Sequence, residues 1–142
     1  MLITKSDMES SDSFLAQGGI CVERDDDDYE SYFEDTMKAG HYENRKESVD
    51  IMIRSSREII ADLVSYGVEF EKKDGEFVYT REGAHSKPRI LYHEDVTGKE
   101  ITSKLLERAK ERDNISIYEY TAMTDILEEM DSVSGYWQNM KV

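Results

Sequence analysis

Cysteine and proline are almost absent from this sequence of 142 residues, which contains one of each. The single cysteine, Cys21, cannot form a disulfide within the chain, and this excludes a small domain held together by disulfides. An unpaired thiol is typical of a reducing compartment, so we expect a cytoplasmic protein. The lone Pro88 lies in a polar stretch and interrupts no predicted helix or strand.

Basic residues and long apolar runs are also scarce. The chain has 18 Lys and Arg against 32 Asp and Glu, which gives a net charge of −14. This excess of negative charge repels nucleic acids and anionic membranes, so we expect neither as a partner. No apolar run is long enough for a transmembrane helix, and the first residues lack the basic and apolar regions of a secretory signal.

Metal-binding patterns are missing from the sequence as well. His41, His85, His93 and the one cysteine stand apart, without the spacing of a metal site. The acidic run 25–28 lacks the ligand register of a calcium loop, and we interpret it as the negatively charged start of a helix. The sequence therefore predicts no metal.

Apolar residues recur at helical spacing in three stretches. They predict helices over 29–39, from about Val49 to Gly67, and from Thr97 onward. Short strands are predicted near MLIT and at 114–118, a second extended segment is predicted at 120–127, and a hairpin is predicted to join VEF to EFVYT. The fold class is therefore α/β, or α+β when the chain is taken by itself, with three main helices, short strands and a hairpin.

The stretch TREGAHSKPRILYHEDVTGKE shows no period before RILYH, yet it holds several chemically versatile side chains. Catalytic residues often lie on loops that a rigid scaffold positions, and a plain solvated loop has the same composition. The pattern alone leaves both interpretations open.

Five stretches, in this order, resemble the L-aspartate oxidase family, which belongs to the succinate dehydrogenase/fumarate reductase group of flavoproteins. They are SFLAQGGI, FEDTMKAGHYEN, YGVEF, TREGAHSKPRILYHEDVTGKEI and NISIYEYT. AQGGI alone is a weak signal, but its combination with EDTMKAG, TREGAHS and TGKE is specific. The resemblance implies that 1–127 is part of an FAD-binding domain without its first βαβ unit and that 128–142 is a diverged tail.

The resemblance also implies which residues bind FAD, and it implies FAD as the cofactor. The segment that matches the stretch wrapping the flavin consists of Asp12, Ser13, Phe14, Leu15, Ala16, Gln17, Gly18 and Gly19. Lys5, Ala122 and Met123 match positions near the adenosine end. The glycine pair would let the backbone lie against the flavin, whereas the dipeptide alone also fits a plain turn. Asp12 stands where succinate dehydrogenases carry the histidine that binds FAD covalently, so the resemblance implies non-covalent FAD.

Glu82 matches the carboxylate that distinguishes aspartate oxidases from relatives that act on succinate or fumarate. A carboxylate there can accept a charge-assisted hydrogen bond from the ammonium group of aspartate, which succinate lacks. Glu82 is thus the predicted catalytic-site residue. The alternative is an exposed glutamate paired with Arg81 or Arg89.

The implied activity is the FAD-dependent oxidation of L-aspartate to iminoaspartate, which a quinolinate synthase would use for NAD biosynthesis. The chain has no G-x-G-x-x-G pyrophosphate motif and no match to the family's catalytic base, so we expect it to be inactive alone. A partner could then be the complementary part of the enzyme, and exposed apolar faces could drive self-association. The alternatives are a non-catalytic remnant that acts as an interaction module, and a flavoprotein of the fumarate reductase or succinate dehydrogenase type.

Overall fold

The computed structural model of the chain describes residues 1–129 and 132–139. Its helices are α1 (Asp12–Leu15), α2 (Tyr29–Ala39), α3 (Lys46–Ser65) and α4 (Thr97–Lys110), with 3-10 turns at Met8–Ser10 and Asp26–Asp28. Helix α3 buries Val49, Ile53, Ser56, Ile60 and Leu63, whose spacing of three and four residues places them on one face. The three predicted long helices are confirmed.

Strands are short and pair two at a time. Strand β1 (Leu2–Ile3) runs parallel to β6 (Ile117–Tyr118), and β2 (Ile20–Cys21) runs antiparallel to β5 (Ile90–Leu91). A hairpin is formed by β3 (Lys72–Lys73) and β4 (Glu76–Phe77). Its second strand begins within EFVYT as predicted, but VEF is not a strand, because the tight turn at Asp74 and Gly75 pairs the residues directly beside it. Together with the helices, these strands confirm the α/β class.

A second hairpin joins β7 (Thr121–Glu129) to β8 (Ser132–Asn139), with Thr121 opposite Asn139 and Glu129 opposite Ser132. The sequence predicts an extended segment at 120–127 but no strand in the tail, so β8 is a finding of the structure. Residues 130, 131 and 140–142 of the predicted tail lie outside the described residues.

Two apolar clusters hold the helices together. The first consists of Val22, Ile60, Leu63, Val68, Phe70 and Leu91, and the second of Tyr32, Met37, Val49 and Ile53. The predicted apolar stripe of α3 includes Met52 and Val64, but their side chains are 45% and 37% exposed because they flank the buried face. Within the described part of the chain, no helix is long and apolar enough to cross a membrane.

Candidate functional site

The segment predicted to wrap a flavin lies on the surface. Within it, Asp12, Ser13 and Leu15 are exposed on α1, Phe14 is half-buried, and the exposed residues Ala16, Gln17 and Gly18 follow. Leu15 is 66% exposed, although it is the most apolar residue in the segment. Gln17 donates from Nε2 to Asp95 Oδ2 at 3.1 Å. A surface with these properties fits a site that a bound group covers.

The two glycines of AQGG serve different purposes. A Cβ atom on Gly19 would overlap with Ile90 Cγ2 and with the backbone oxygen of Leu91, so the β2–β5 pairing requires glycine there. A Cβ atom on Gly18 would have no protein atom within 4 Å. Gly18 is therefore free of any packing demand from the described residues, and a ligand can approach its backbone closely.

A second close contact, at Gly98, holds α1 in place. The Gly98 N–H donates to the Ala16 oxygen at 2.9 Å, and a Cβ atom on Gly98 would overlap with the backbone oxygen of Ser13. Lys99 Nζ lies 5.6 Å from the centre of the Phe14 ring. The first turn of α4 thus packs against the predicted flavin segment.

The residues predicted near the adenosine end come together in the structure. The Thr4 oxygen accepts a hydrogen bond of 2.8 Å from the Thr121 N–H, so exposed Lys5 lies beside the start of β7. Ala122 is half-buried there, and Met123 is 56% exposed. The structure therefore groups Lys5, Ala122 and Met123 although more than a hundred residues separate them in sequence.

Glu82 lies at the wall of a cavity of about 660 Å³ that opens beside β2. The cavity is mostly apolar, with Ile20, Ile90, Met52, Ile59 and Ala39 on its wall. Its polar wall is formed by Glu82, His85, Asp35, Cys21, Thr36, Ser55 and Ser56. Ile20 follows Gly19 directly and Ile90 packs against it, so the cavity adjoins the predicted flavin segment.

Behind the cavity wall lies the fully buried guanidinium of Arg89. It donates from Nε and Nη2 to the two carboxylate oxygens of Asp28, at 3.1 and 2.8 Å. Nη2 also donates to Ser31 Oγ at 3.0 Å, and Nη1 donates to Asp35 Oδ2 at 2.6 Å. The guanidinium carbon lies 4.9 Å from the centre of the Tyr32 ring. The four partners are Asp28, Ser31, Tyr32 and Asp35. Their spacings of three, four and seven residues follow the helical turn, so they lie on one face of α2 and its N-cap.

The fifth N–H of Arg89 fixes the proton of His85. Arginine has no acceptor, so the 3.0 Å contact between Arg89 Nη1 and His85 Nδ1 makes Nδ1 the acceptor. The ring proton is then on Nε2, which lies 3.1 Å from Cys21 Sγ and donates to it. His85 is thereby held as a neutral imidazole between α2 and β2.

The pKa shifts agree with this assignment. Burial lowers the pKa of His85, and the positive charge of Arg89 lowers it further. Burial raises the pKa of the Cys21 thiol, and the negative charge of Glu82 adds to that rise. Burial opposes ionisation of Asp28, but hydrogen bonds from Arg89 and Ser31 lower its pKa to about 2. Cys21 is thus a neutral thiol beside a neutral imidazole, which is not a thiolate–imidazolium nucleophile.

Two interpretations from the sequence are corrected by this network. Arg89 was the candidate partner of Glu82, but its donors bind Asp28 and Asp35 instead. Asp28 was part of an acidic helix start, yet its side chain is buried and makes no cap hydrogen bond on α2. No sequence pattern marks Asp28, Asp35 or Cys21 as residues of the site. The spacing of seven residues between Asp28 and Asp35, two helical turns, is the signal that could have indicated a shared face.

No metal site emerges among residues 1–129 and 132–139, since no three His, Cys, Asp or Glu side chains are grouped to hold an ion. The aspartates of the run 25–28 have different surroundings. Asp28 is buried, whereas Asp26 forms a surface ion pair with Arg57 at 3.0 Å.

The FAD binding domain family matches residues 1–141. The L-aspartate oxidase of Clostridium perfringens is 44% identical over 126 residues, which cover 89% of this chain and 29% of that protein. The L-aspartate oxidase of Clostridium acetobutylicum is 40% identical and has 30% of its length covered. The chain therefore spans less than a third of these relatives.

Solved structures show the same fold. The quinol fumarate reductase FrdA of Escherichia coli superposes with a TM-score of 0.90 at 23% identity, covering 97% of this chain and 24% of that one. The Sdh1 complex of Mycobacterium smegmatis gives a TM-score of 0.82 at 23% identity, with 94% and 26% covered.

The fold and the exposed segment around Gly18 define a flavoprotein domain of mixed α/β type. The chain belongs to the FAD binding domain family, and FAD is its cofactor. The resemblance to L-aspartate oxidase is confirmed by relatives of that name. The residues present are compatible with this cofactor, because the space that a side chain at position 18 would fill is open beside Gly18.

Proposed function

We propose that this chain supplies part of the FAD-binding domain of an L-aspartate oxidase, which converts L-aspartate to iminoaspartate for quinolinate and NAD biosynthesis. The observation that carries the proposal is the position of Glu82, on the wall of a cavity that begins one residue after Gly19. Relatives named L-aspartate oxidase support it. FAD, when bound, supplies the two-electron acceptor for this oxidation.

Each group of residues has a distinct role in this proposal. Asp12, Ser13, Phe14, Leu15, Ala16, Gln17, Gly18 and Gly19 border the flavin, while Lys5, Ala122 and Met123 border the adenosine end. With aspartic acid at position 12, the cofactor is held without a covalent bond. Glu82 accepts a hydrogen bond from the substrate ammonium group, which orients aspartate and disfavours succinate.

The apolar character of the cavity strengthens the selector role of Glu82. Glu82 is exposed in this structure, and a substrate bound against the apolar wall beside it would displace water from its carboxylate, which would then attract an ammonium group more strongly. When succinate enters instead, that carboxylate loses water and gains no partner. The preference for aspartate over succinate therefore has two sources: the Glu82 carboxylate is paired when aspartate is bound, and it is left unpaired when succinate is bound.

The experiment is a segment exchange. Residues 3–126 replace the matching segment of the Clostridium perfringens enzyme, and L-aspartate is added under anaerobic conditions while flavin absorbance is followed. We expect bleaching by L-aspartate but not by succinate, and loss of that preference in the matched Glu82→Gln variant. Bleaching by succinate alone would indicate the fumarate reductase or succinate dehydrogenase type. No bleaching by either, with flavin retained, would favour a non-catalytic interaction module.

The partners follow from the same proposal. L-aspartate is the substrate, and a quinolinate synthase or the complementary part of the enzyme is the protein partner. The free thiol of Cys21 supports a cytoplasmic location. Ile51 and Ile59, which are 67% and 48% exposed on α3, support self-association.

A further inference from the structure

The loop that carries Glu82 has little regular structure of its own. A tight turn links Glu82 to His85, because the His85 N–H donates to the Glu82 oxygen at 3.3 Å and Gly83 between them has φ +57°. Within the described residues, the Glu82 carboxylate has no hydrogen bond or ion pair. Glu82 is exposed, so the protein can position its carboxylate only through the loop backbone, and that backbone is joined to His85 by the turn.

His85 is held on three sides. Its Nε2–H donates to Cys21 Sγ on β2 at 3.1 Å, and its ring meets the Tyr32 ring edge-on, with centres 5.6 Å apart. Its Nδ1 accepts from Arg89 Nη1 at 3.0 Å. The next residue of the loop, Ser86, donates from both its backbone N–H and its hydroxyl to Asp35 Oδ2 at 2.7 Å.

Arg89 is the common point of these contacts. All five of its N–H groups are engaged, by Asp28, Ser31, Asp35 and His85. A guanidinium with every donor occupied and no exposed surface has one orientation available. The ring of His85 therefore has a fixed partner in a rigid frame.

We propose that His85 and Arg89 are positioning residues that aim the Glu82 carboxylate into the cavity and thereby set the preference for a substrate with an ammonium group. The inference rests on the proposed function, in which Glu82 selects aspartate. It adds that the selector works through a buried chain of contacts, from the carboxylates of α2 through Arg89 and His85 to the turn at Glu82. Neither His85 nor Arg89 needs to touch the substrate for this role.

Two substitutions distinguish the contact of His85 Nδ1 with Arg89 from the contact of His85 Nε2 with Cys21. An asparagine oxygen falls near the position of His85 Nδ1 and can accept from Arg89, whereas a glutamine amide falls near Nε2 and can donate only to Cys21. We therefore compare His85→Asn with His85→Gln. His93→Gln is the control, since the side chain of His93 lies outside this network. Arg89→Lys keeps the charge but loses the forked donors.

The first measurement uses the full chain and needs no activity. Amide hydrogen exchange at residues 82–86 is followed by NMR for each variant. We expect exchange in His85→Gln to rise about tenfold, as for the loss of one anchoring hydrogen bond near a charged group, and far less in His85→Asn. Equal exchange in both variants, or no change in either, would overturn the positioning role.

The second measurement uses the segment-exchanged enzyme and the ratio of kcat/KM for L-aspartate to that for succinate. We expect this ratio to fall about tenfold in His85→Gln, as for one misaligned charge-assisted hydrogen bond, and to be largely restored in His85→Asn. His93→Gln should leave it unchanged. A merely structural role of His85 would lower both substrates' rates together and keep the ratio.

The two measurements fail independently. If the parent exchanged enzyme does not oxidise aspartate, the proposed function is wrong, while the exchange rates of the full chain still decide whether His85 and Arg89 hold the turn. If aspartate is oxidised but the ratio of kcat/KM for L-aspartate to that for succinate is unchanged in His85→Gln, the positioning inference is wrong and the proposed function stands. The two His85 variants keep the test decisive even where Arg89→Lys does not fold.

Discussion

Arg89 and Asp28 form a bidentate ion pair that is closed to solvent, with side chains 0% and 2% exposed. Both oxygens of Asp28 and two nitrogens of Arg89 take part, which is the strongest geometry available to a carboxylate and a guanidinium. Asp35 adds a second, partly buried carboxylate on the same cation, with its side chain 13% exposed. The half-exposed Lys87, with Nζ 3.7 Å from Asp28 Oδ1, offsets the remaining negative charge.

Loss of one partner from this pair should be costly. Arg89→Met leaves the buried Asp28 and the partly buried Asp35 without their cation, and we expect the free energy of unfolding to fall by about 3–5 kcal/mol. Urea denaturation of the full chain measures it.

The double variant Asp28→Asn/Arg89→Met is the matched control, because it removes both charges of the main pair. We expect it to cost less than the sum of the two single variants. Strict additivity would show that the pair contributes no coupling energy.

Acid should destabilise the chain through Asp28. Its pKa is about 2 in the folded state and 3.8 as a model value, so the unfolded chain binds more protons between these values. Stability from this group is therefore complete above about pH 4 and is lost as the pH falls toward 2, with a total of roughly 2 kcal/mol. Denaturation midpoints from pH 6 to pH 2 measure the decline, and Asp28→Asn should flatten it. An equally steep decline in that variant would assign it to other carboxylates.

The helices could be predicted from the sequence because their buried residues recur at regular spacing. Val49, Ile53, Ile60 and Leu63 form a stripe that needs only local chemistry to be recognised. The predicted hairpin also depends on local signals, since Asp74 and Gly75 at its turn both have positive φ. The helix lies where the pattern indicates, whereas the first strand of the hairpin, β3, lies after VEF and not within it.

The polar network could not be predicted in the same way. Arg89 lies 61 residues from Asp28 and 54 from Asp35, so their pairing depends on how the chain folds back on itself. Arginine and aspartate usually lie on the surface, and the burial of both Arg89 and Asp28 is an exception to that rule. The resemblance marked Glu82, but only the structure reveals what holds its loop.

The flavin should be removable without breaking a covalent bond. Asp12 is exposed at the start of α1, and under the proposed function it occupies the position where a histidine would attach FAD covalently. We expect acid precipitation of the FAD-loaded protein to leave all flavin in the supernatant, as measured by its absorbance. Flavin that stays with the pellet would contradict non-covalent binding.

The two glycines provide the sharpest matched pair in the chain, because they are neighbours with opposite surroundings. Gly19→Ala places a methyl group against Ile90 and the Leu91 oxygen, so we expect a loss of stability of about 1–3 kcal/mol. Gly18→Ala meets no protein atom and its φ lies outside the left-handed region, so stability should change by less than about 0.5 kcal/mol.

Affinity for FAD should show the opposite order: Gly18→Ala, which leaves stability almost unchanged, should weaken FAD binding. The methyl group of Gly18→Ala occupies the space that we assign to the flavin, and a cost of about 1.4 kcal/mol would raise the Kd for FAD tenfold. Fluorescence titration with FAD measures this against the parent chain. If Gly18→Ala binds FAD as tightly as the parent, the cofactor does not lie against this backbone, and the open space beside Gly18 has another use.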